Sequence, residues 1–176
     1  METEKKREDF TVKLQSLWSI ESMLVEAMPR IIQKATNLGL QKSLAHHFAE
    51  TDQHKVAIEG ICKQLEIDPR AGEPDATLRN ILMEGENEII NMEMGEEMDA
   101  AIIFSAQQIE AYEISVYGPA AHTADALGYT AFAKRLRLTL EEEQQADNKL
   151  KFLESSLLED RAYIGQGVDE LRLTEG

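Results

Sequence analysis

Glu110 and Glu113 stand where a buried helix face should be apolar. Ile103, Ala106, Glu110, Glu113 and Tyr117 recur at spacings of three and four, the rhythm of one face of a helix. Burying an ionised carboxylate is unfavourable by several kcal/mol unless something positive compensates it. Either this stripe faces water or a cation sits against it. The same anomaly recurs along the chain. Glu21 lies between Leu17 and Leu24, Glu50 and His54 interrupt a row containing Leu44, Ile58 and Ile61, and Glu143 and Asp147 interrupt Leu136, Leu140 and Leu150. Residues four apart differ by about 40° around a helix, so Glu50 with His54, and Glu143 with Asp147, can each point at one object.

The chain thus reads as two halves, each giving a helix with one or two acids and then a helix with a pair. Carboxylate-bridged di-iron and di-manganese sites in four-helix bundles have this layout. Oxygen-rich ligation with a nitrogen donor suits iron or manganese better than copper, and the single cysteine, Cys62, argues against a structural zinc cluster. The expected cofactor is two divalent metal ions, iron first, with manganese or zinc as alternatives. Their four positive charges offset most of the acids; without metal, several acids must take up protons or admit water. Chance is the rival reading, because acids make up 33 of 176 residues and one on a seam is ordinary. Four helices offending in a repeated order are harder to obtain from solvated faces.

The expected metal ligands are Glu21, Glu50, His54, Glu110, Glu113, Glu143 and Asp147. Asp147 has the shorter arm and could instead hydrogen-bond a ligand. His47 is expected behind the ligands. Tyr117, one turn after Glu113, reads as a core tyrosine, with donation to a carboxylate or a redox role as alternatives. His46 and His122 read as surface residues, and Trp18 and Tyr112 as packing.

These residues need four long helices to carry them. The spacing predicts helices over about 10–35, bent at Pro29, over 40–65, over 96–127 with an interruption at Gly118-Pro119, and over 129–157. A shorter helix over 76–91 is expected on the outside. Met92, Met94 and Met98 flank Gly95 in a crossover between the halves. Residues 1–157 then form one helical domain, and the acidic stretch 158–176 reads as a C-terminal strap or frayed tail. No strand alternation or Asn-Gly hairpin occurs, so the fold class is all-α.

The net charge of −15 repels phosphate backbones and anionic lipid surfaces, which excludes nucleic acid as an expected partner. No run of about 18 apolar residues exists, and residues 1–9 are charged without an apolar stretch following, so neither a membrane span nor a secretory signal is expected. A reducing, cytoplasmic location is the simplest reading.

The segments from Leu17 to Leu24, His47-Phe-Ala-Glu-Thr-Asp-Gln-His54, Gln108-Ile-Glu-Ala-Tyr-Glu-Ile-Ser-Val-Tyr-Gly118 and Thr139-Leu-Glu-Glu-Glu-Gln-Gln-Ala-Asp147 resemble the bacterial ferritin-like stress proteins of the YciE/YciF family. The resemblance implies a ferritin-like four-helix bundle, up-down-down-up, whose long crossover carries an extra short helix, together with a dinuclear metal site and a homodimer. It places the helix-one acid on Glu21, a His-x-x-Glu-Thr motif on His47, Glu50 and Thr51, and a Glu-Glu pair with a trailing Asp on Glu142, Glu143 and Asp147. Ala111 stands where the family often has histidine. The second helix carries Glu-x-x-x-His, where the wider ferritin-like superfamily has Glu-x-x-His. The expected function is a stress-related di-metal protein with a peroxidase or oxidase type of activity towards peroxide or oxygen. The alternatives are a non-catalytic stress protein in which metal supports folding or dimer assembly, and iron storage, which requires a hollow cage.

Overall fold

The computed structural model describes residues 1–173, with side chains to residue 159. Five α-helices run in the order α1 (Glu2–Lys34), α2 (Leu38–Gln64), α3 (Ala76–Ile89), α4 (Glu96–Ala126) and α5 (Thr130–Leu173), with a short 3-10 turn at Pro69–Ala71; no strand occurs among the described residues. The chain is all-α, as its periodicity requires. No described helix is long and apolar enough to cross a membrane.

Two apolar clusters fix the topology. At one end Phe10, Leu14 and Leu17 of α1 meet Ile58 and Ile61 of α2, Tyr117 and Ala120 of α4, and Leu136 of α5. At the other end Leu40 and Leu44 of α2 meet Met98 and Ile102 of α4 and Leu150 of α5. The start of α1 and the end of α2 therefore lie beside the end of α4 and the start of α5. That is an up-down-down-up bundle, in which α2 and α4 run parallel and a crossover must return along the length of the bundle. Helix α3 belongs to that crossover and lies against α4, burying Leu78 and Ile89.

Local chemistry sets the joints. Asn37 caps α2 by accepting from Leu40 N at 3.0 Å, and Asp75 caps α3 by accepting from Leu78 N at 2.9 Å. Asp75 also accepts from Ser16 Oγ at 2.9 Å and from the Tyr112 hydroxyl, so one carboxylate pins the crossover to α1 and α4. Tyr112, expected only to pack, is a hydrogen-bonding anchor. Between α4 and α5, Gly128 takes φ 76°, while Tyr129 N donates to Ala124 O at 2.9 Å, ending α4 with a left-handed turn.

Several boundaries differ from expectation. Helix α1 begins at Glu2 because exposed pairs four residues apart, Lys6 with Glu2 and Lys13 with Asp9, extend it beyond its buried face. It runs through Pro29 to Lys34. The expected interruption at Gly118-Pro119 does not occur, and α4 is continuous across it. Proline removes one N–H, but the carbonyl it would have served belongs to exposed Ser115, while Ala120, Ala121 and Ala124 keep the opposite face packed. Helix α5 continues past residue 157 to Leu173, through most of the stretch read as a tail; residues 174–176 lie outside the described ones.

Asp99 holds the joint between α1 and α2. It is buried and accepts from Thr36 N at 2.7 Å, Thr36 Oγ1 at 2.6 Å and Asn37 N at 2.8 Å. Hydrogen bonds to a charged acceptor contribute more than neutral ones, and removing this acceptor leaves three part-buried donors without it. Asp99→Ala is expected to cost about 3 kcal/mol, read as a lower urea midpoint with an unchanged slope.

Candidate metal centre

Between the two apolar clusters the bundle interior turns polar. Glu21 from α1, His47 and His54 from α2, Glu110 and Glu113 from α4, and Glu143 from α5 are all buried there. Their donor atoms form two groups. His47, Glu110, Glu113 and Glu143 make one; Glu21, His54 and Glu143 make the other; within each group one donor atom from every residue lies within 4.8 Å of the rest. Glu143 belongs to both.

The distances are those of donors converging on a shared point. His54 Nδ1 lies 2.8 Å from Glu143 Oε1 and 3.7 Å from Glu21 Oε1. His47 Nε2 lies 3.0 Å from Glu110 Oε1 and 3.7 Å from Glu143 Oε2. Despite this closeness, His54 Nδ1, His47 Nε2, Glu21 Oε2, Glu110 Oε2 and both oxygens of Glu113 and Glu143 are buried with no hydrogen-bond partner among the described residues. Orphaned buried donors and acceptors are rare in folded proteins. Ligands about 2.1 Å from one ion at right angles sit about 3 Å from each other. The residues therefore fit a pair of divalent cations, with Glu143 able to offer one oxygen to each.

Burial without such ions leaves its mark on protonation. Desolvation pushes the Glu21 carboxyl up to about 8, with Glu143 adding to the rise, while His54 and the Tyr117 hydrogen bond oppose it. Desolvation likewise raises Glu110 to about 7 against the pull of His47. Glu113, fully enclosed beside Glu143, Glu21 and Glu110, is raised well above the carboxylate range. Burial alone would lower both histidines, but the surrounding carboxylates outweigh it and raise them, Glu110 and Glu50 acting on His47 and Glu143 on His54.

Supporting residues fix the histidine rings. Glu142 accepts from His54 Nε2 at 2.8 Å, which leaves Nδ1 free to face Glu21 and Glu143. Tyr117 is fully buried and donates to Glu21 Oε1, the carboxylate contact that was one of its expected roles.

Of the expected ligands, the structure brings together Glu21, His54, Glu110, Glu113 and Glu143. It places Glu50 and Asp147 outside both groups, and His47 inside one. Angular position explains the exchange of His47 and Glu50. His47, Thr51, His54 and Ile58 lie within about 60° of one another around α2, whereas Glu50 sits about 60° to the side of His47. Glu50 is 22% exposed and lies 3.2 Å from His46 Nε2 and 3.8 Å from His47 Nδ1; His47, then His46, holds its carboxyl below the usual range. Asp147 lies one helical turn beyond Glu143, and its short arm instead meets Lys151 Nζ at 2.5 Å. Glu142, which the resemblance placed in the Glu-Glu motif, was not among the expected ligands. Its signal was adjacency to Glu143, about 100° round the helix, too far to share an ion but well placed to reach a neighbouring ring.

Comparison with known proteins agrees with this architecture. Residues 5–163 match the family described as Domain of unknown function (DUF892). Protein YciF of Escherichia coli K12 is 34% identical over 138 residues, spanning 78% of this chain and 82% of the relative. Among solved structures, the E. coli stress protein YciF superposes with a TM-score of 0.77 at 29% identity, covering 88% of this chain and 97% of that one. YcfI of Rhodopseudomonas palustris, for which a structural role has been suggested, gives 0.78 at 27% identity, covering 83% and 92%. A Xanthomonas campestris protein with 15% identity shares the fold alone, at 0.70 over 92% and 99% of the two chains. With the family match extending over both helix pairs and the crossover, the chain belongs to the DUF892 family.

Proposed function

We propose that this chain is a dinuclear metal protein of the bacterial stress response, holding two divalent ions between Glu21, His54 and Glu143 on one side and His47, Glu110, Glu113 and Glu143 on the other. The observation that carries the reading is the sharing of Glu143 between two buried donor groups in which both oxygens of Glu113 and of Glu143, and at least one nitrogen or oxygen of each other member, have no hydrogen-bond partner among the described residues. A bound iron or manganese pair would supply electron transfer to peroxide or oxygen. The chain's own contribution is placement. Glu142 orients His54, Tyr117 holds one oxygen of Glu21, and the apolar clusters above and below keep bulk water from the acids. Likeness to the E. coli stress protein supports the physiological setting.

Metal analysis of protein purified without chelator tests this directly. The expected result is about two ions of iron or manganese per chain, with an absorption band on aerobic addition of ferrous iron. A protein that binds no divalent ion sinks the proposal. Binding without any oxidation, accompanied only by a higher melting temperature, favours the non-catalytic reading, in which the ions add folding stability. Storage requires a hollow assembly, and a scattering mass of a monomer or dimer removes it.

A further inference from the structure

We propose that the small cavity between α1, α3 and α4 is a holding pocket for dioxygen beside the His47 side of the metal centre, and that dioxygen, in preference to peroxide, is the oxidant taken from it. That the gas is consumed rests on the dinuclear metal reading; that it binds does not.

Size limits the occupant. The cavity offers about 50 Å³, where one water-sized sphere needs roughly 10–15 Å³. About three or four such spheres fit, so a molecule of two heavy atoms is accommodated and a benzene-sized one is not. Loose seating of α3 does not explain the gap. A Cβ added at Gly85 would meet Ser105 Oγ at 2.8 Å, so α3 already touches α4 at backbone distance while the space persists beside that contact.

Chemistry then separates the two diatomic oxidants. The walls are aliphatic, with Met28, Ile32, Ile81 and Ile102 among them, and the polar side chains of the lining are Ser105, His47, Glu110 and Glu86. Three of these four are committed elsewhere. His47 Nε2 lies 3.0 Å from Glu110 Oε1, and both residues belong to one metal-donor group. Glu86 is 50% exposed and pairs at 3.2 Å with Arg30, so that acid and base satisfy each other at the solvent edge. Only Ser105 Oγ is left for a guest. An enclosed water needs about two to four polar partners, and peroxide, with two hydroxyl groups, needs as many. Dioxygen has no hydrogen to donate and gains by leaving water for an apolar space. It is also a diatomic gas that an iron or manganese pair can reduce. Placement completes the case, because His47 and Glu110 are themselves part of the wall, and a guest therefore lies against two members of the donor group.

The test is methyl-detected NMR of the full chain with labelled Ile, Leu and Met, loaded with Zn²⁺ to keep the centre diamagnetic and held under pressure of dioxygen or argon. Dioxygen is paramagnetic and speeds relaxation of the methyls around any site it occupies. The enhancement should be severalfold greater at Met28 and Ile102 than at Leu14 and Ile58, which are likewise buried but belong to the opposite apolar cluster. Ala106 lines the cavity one turn before Glu110, so Ala106→Leu should fill the space and remove that excess. In Fe²⁺-loaded protein the same variant should slow oxidation by dioxygen more than oxidation by hydrogen peroxide, with retained dispersion of the other methyls showing that the fold is intact. Absence of any excess at Met28 and Ile102 in the native protein, a measurement that needs no variant, overturns the pocket, as does an excess that survives Ala106→Leu. Equal effects of the variant on the two oxidants, including no effect on either, overturn the choice of dioxygen. An excess in a protein that binds neither Zn²⁺ nor Fe²⁺ upholds the gas pocket and overturns the metal reading alone.

Discussion

If the proposed dinuclear site is right, replacing Glu143 by alanine should remove both ions at once, whereas replacing Glu21 or His47 should remove one. This follows from the sharing of Glu143 by the two donor groups, with Glu21 and His47 each in a single group. Substituting a residue that only orients a ligand typically weakens metal affinity 10–100-fold, so loss of the shared ligand should exceed about 100-fold for each ion. Anaerobic titration with Fe²⁺ or Mn²⁺, followed by metal analysis, reads the stoichiometry. Glu21→Ala should retain the ion at His47, Glu110 and Glu113; His47→Ala should retain the one at Glu21 and His54. Glu142→Gln keeps both but weakens the His54 side by about 10-fold, because the ring loses the carboxylate that fixes its orientation. Glu50→Gln and Asp147→Asn keep the full complement, since neither carboxylate lies in a donor group. Retention of two tightly held ions by Glu143→Ala would dismiss the shared-carboxylate arrangement. Loss of an ion from Asp147→Asn would assign Asp147 a ligand role.

The fold was legible in the chain because its helices are long and their apolar stripes unbroken by strand-like alternation. Leu14 and Leu17, or Leu136 and Leu150, are core residues for the reason their spacing suggests. Helix ends were less legible. Exposed charge pairs that extend α1 leave no apolar signature, and Pro119 breaks a helix only where the freed carbonyl lacks solvent. At the candidate site, an acid among leucines was a dependable sign of burial for Glu21, Glu110, Glu113 and Glu143. It failed for Glu50 and Asp147 because a three-four rhythm locates a residue only to within about one flank of the helix. Whether an arm reaches inward depends on its angle and length. By the same angular reasoning His47, expected behind the ligands, falls within a donor group, since it lies on the centre line of the face and Glu50, the more obvious oxygen ligand, on the flank. The small apolar cavity beside α3 had no sequence signal at all. It arises from how α3 lies across two other helices, which no periodicity within α3 encodes.

Metal-free protein should lose stability as pH rises from about 5 to 9, opposite to the usual behaviour of an acidic protein whose paired carboxylates protonate on acidification. The sign follows from linkage. Glu21, raised to about 8, and Glu110, raised to about 7, bind protons more tightly in the folded chain than in the unfolded one, where carboxyls titrate near 4.3. Glu113 is shifted in the same direction. The stability these groups contribute is complete below their unfolded values and lost as pH climbs through their folded values. The raised histidines add loss in the same sense, beginning above about 6.5. The combined fall should be on the order of 5 kcal/mol, seen as a falling urea midpoint in chelator-treated protein. Divalent ions compete with those protons, so metal-loaded protein should hold its stability or gain it over the same interval. Glu113→Leu separates the causes, because both Glu113 oxygens are buried without partners and leucine fills similar space. At pH 8.5 the metal-free variant should be more stable than the metal-free parent by about 1–4 kcal/mol, yet gain little from added metal. A metal-free parent that grows more stable between pH 5 and 8 would mean that these carboxylates are solvated and charged, and the buried centre would have to be abandoned.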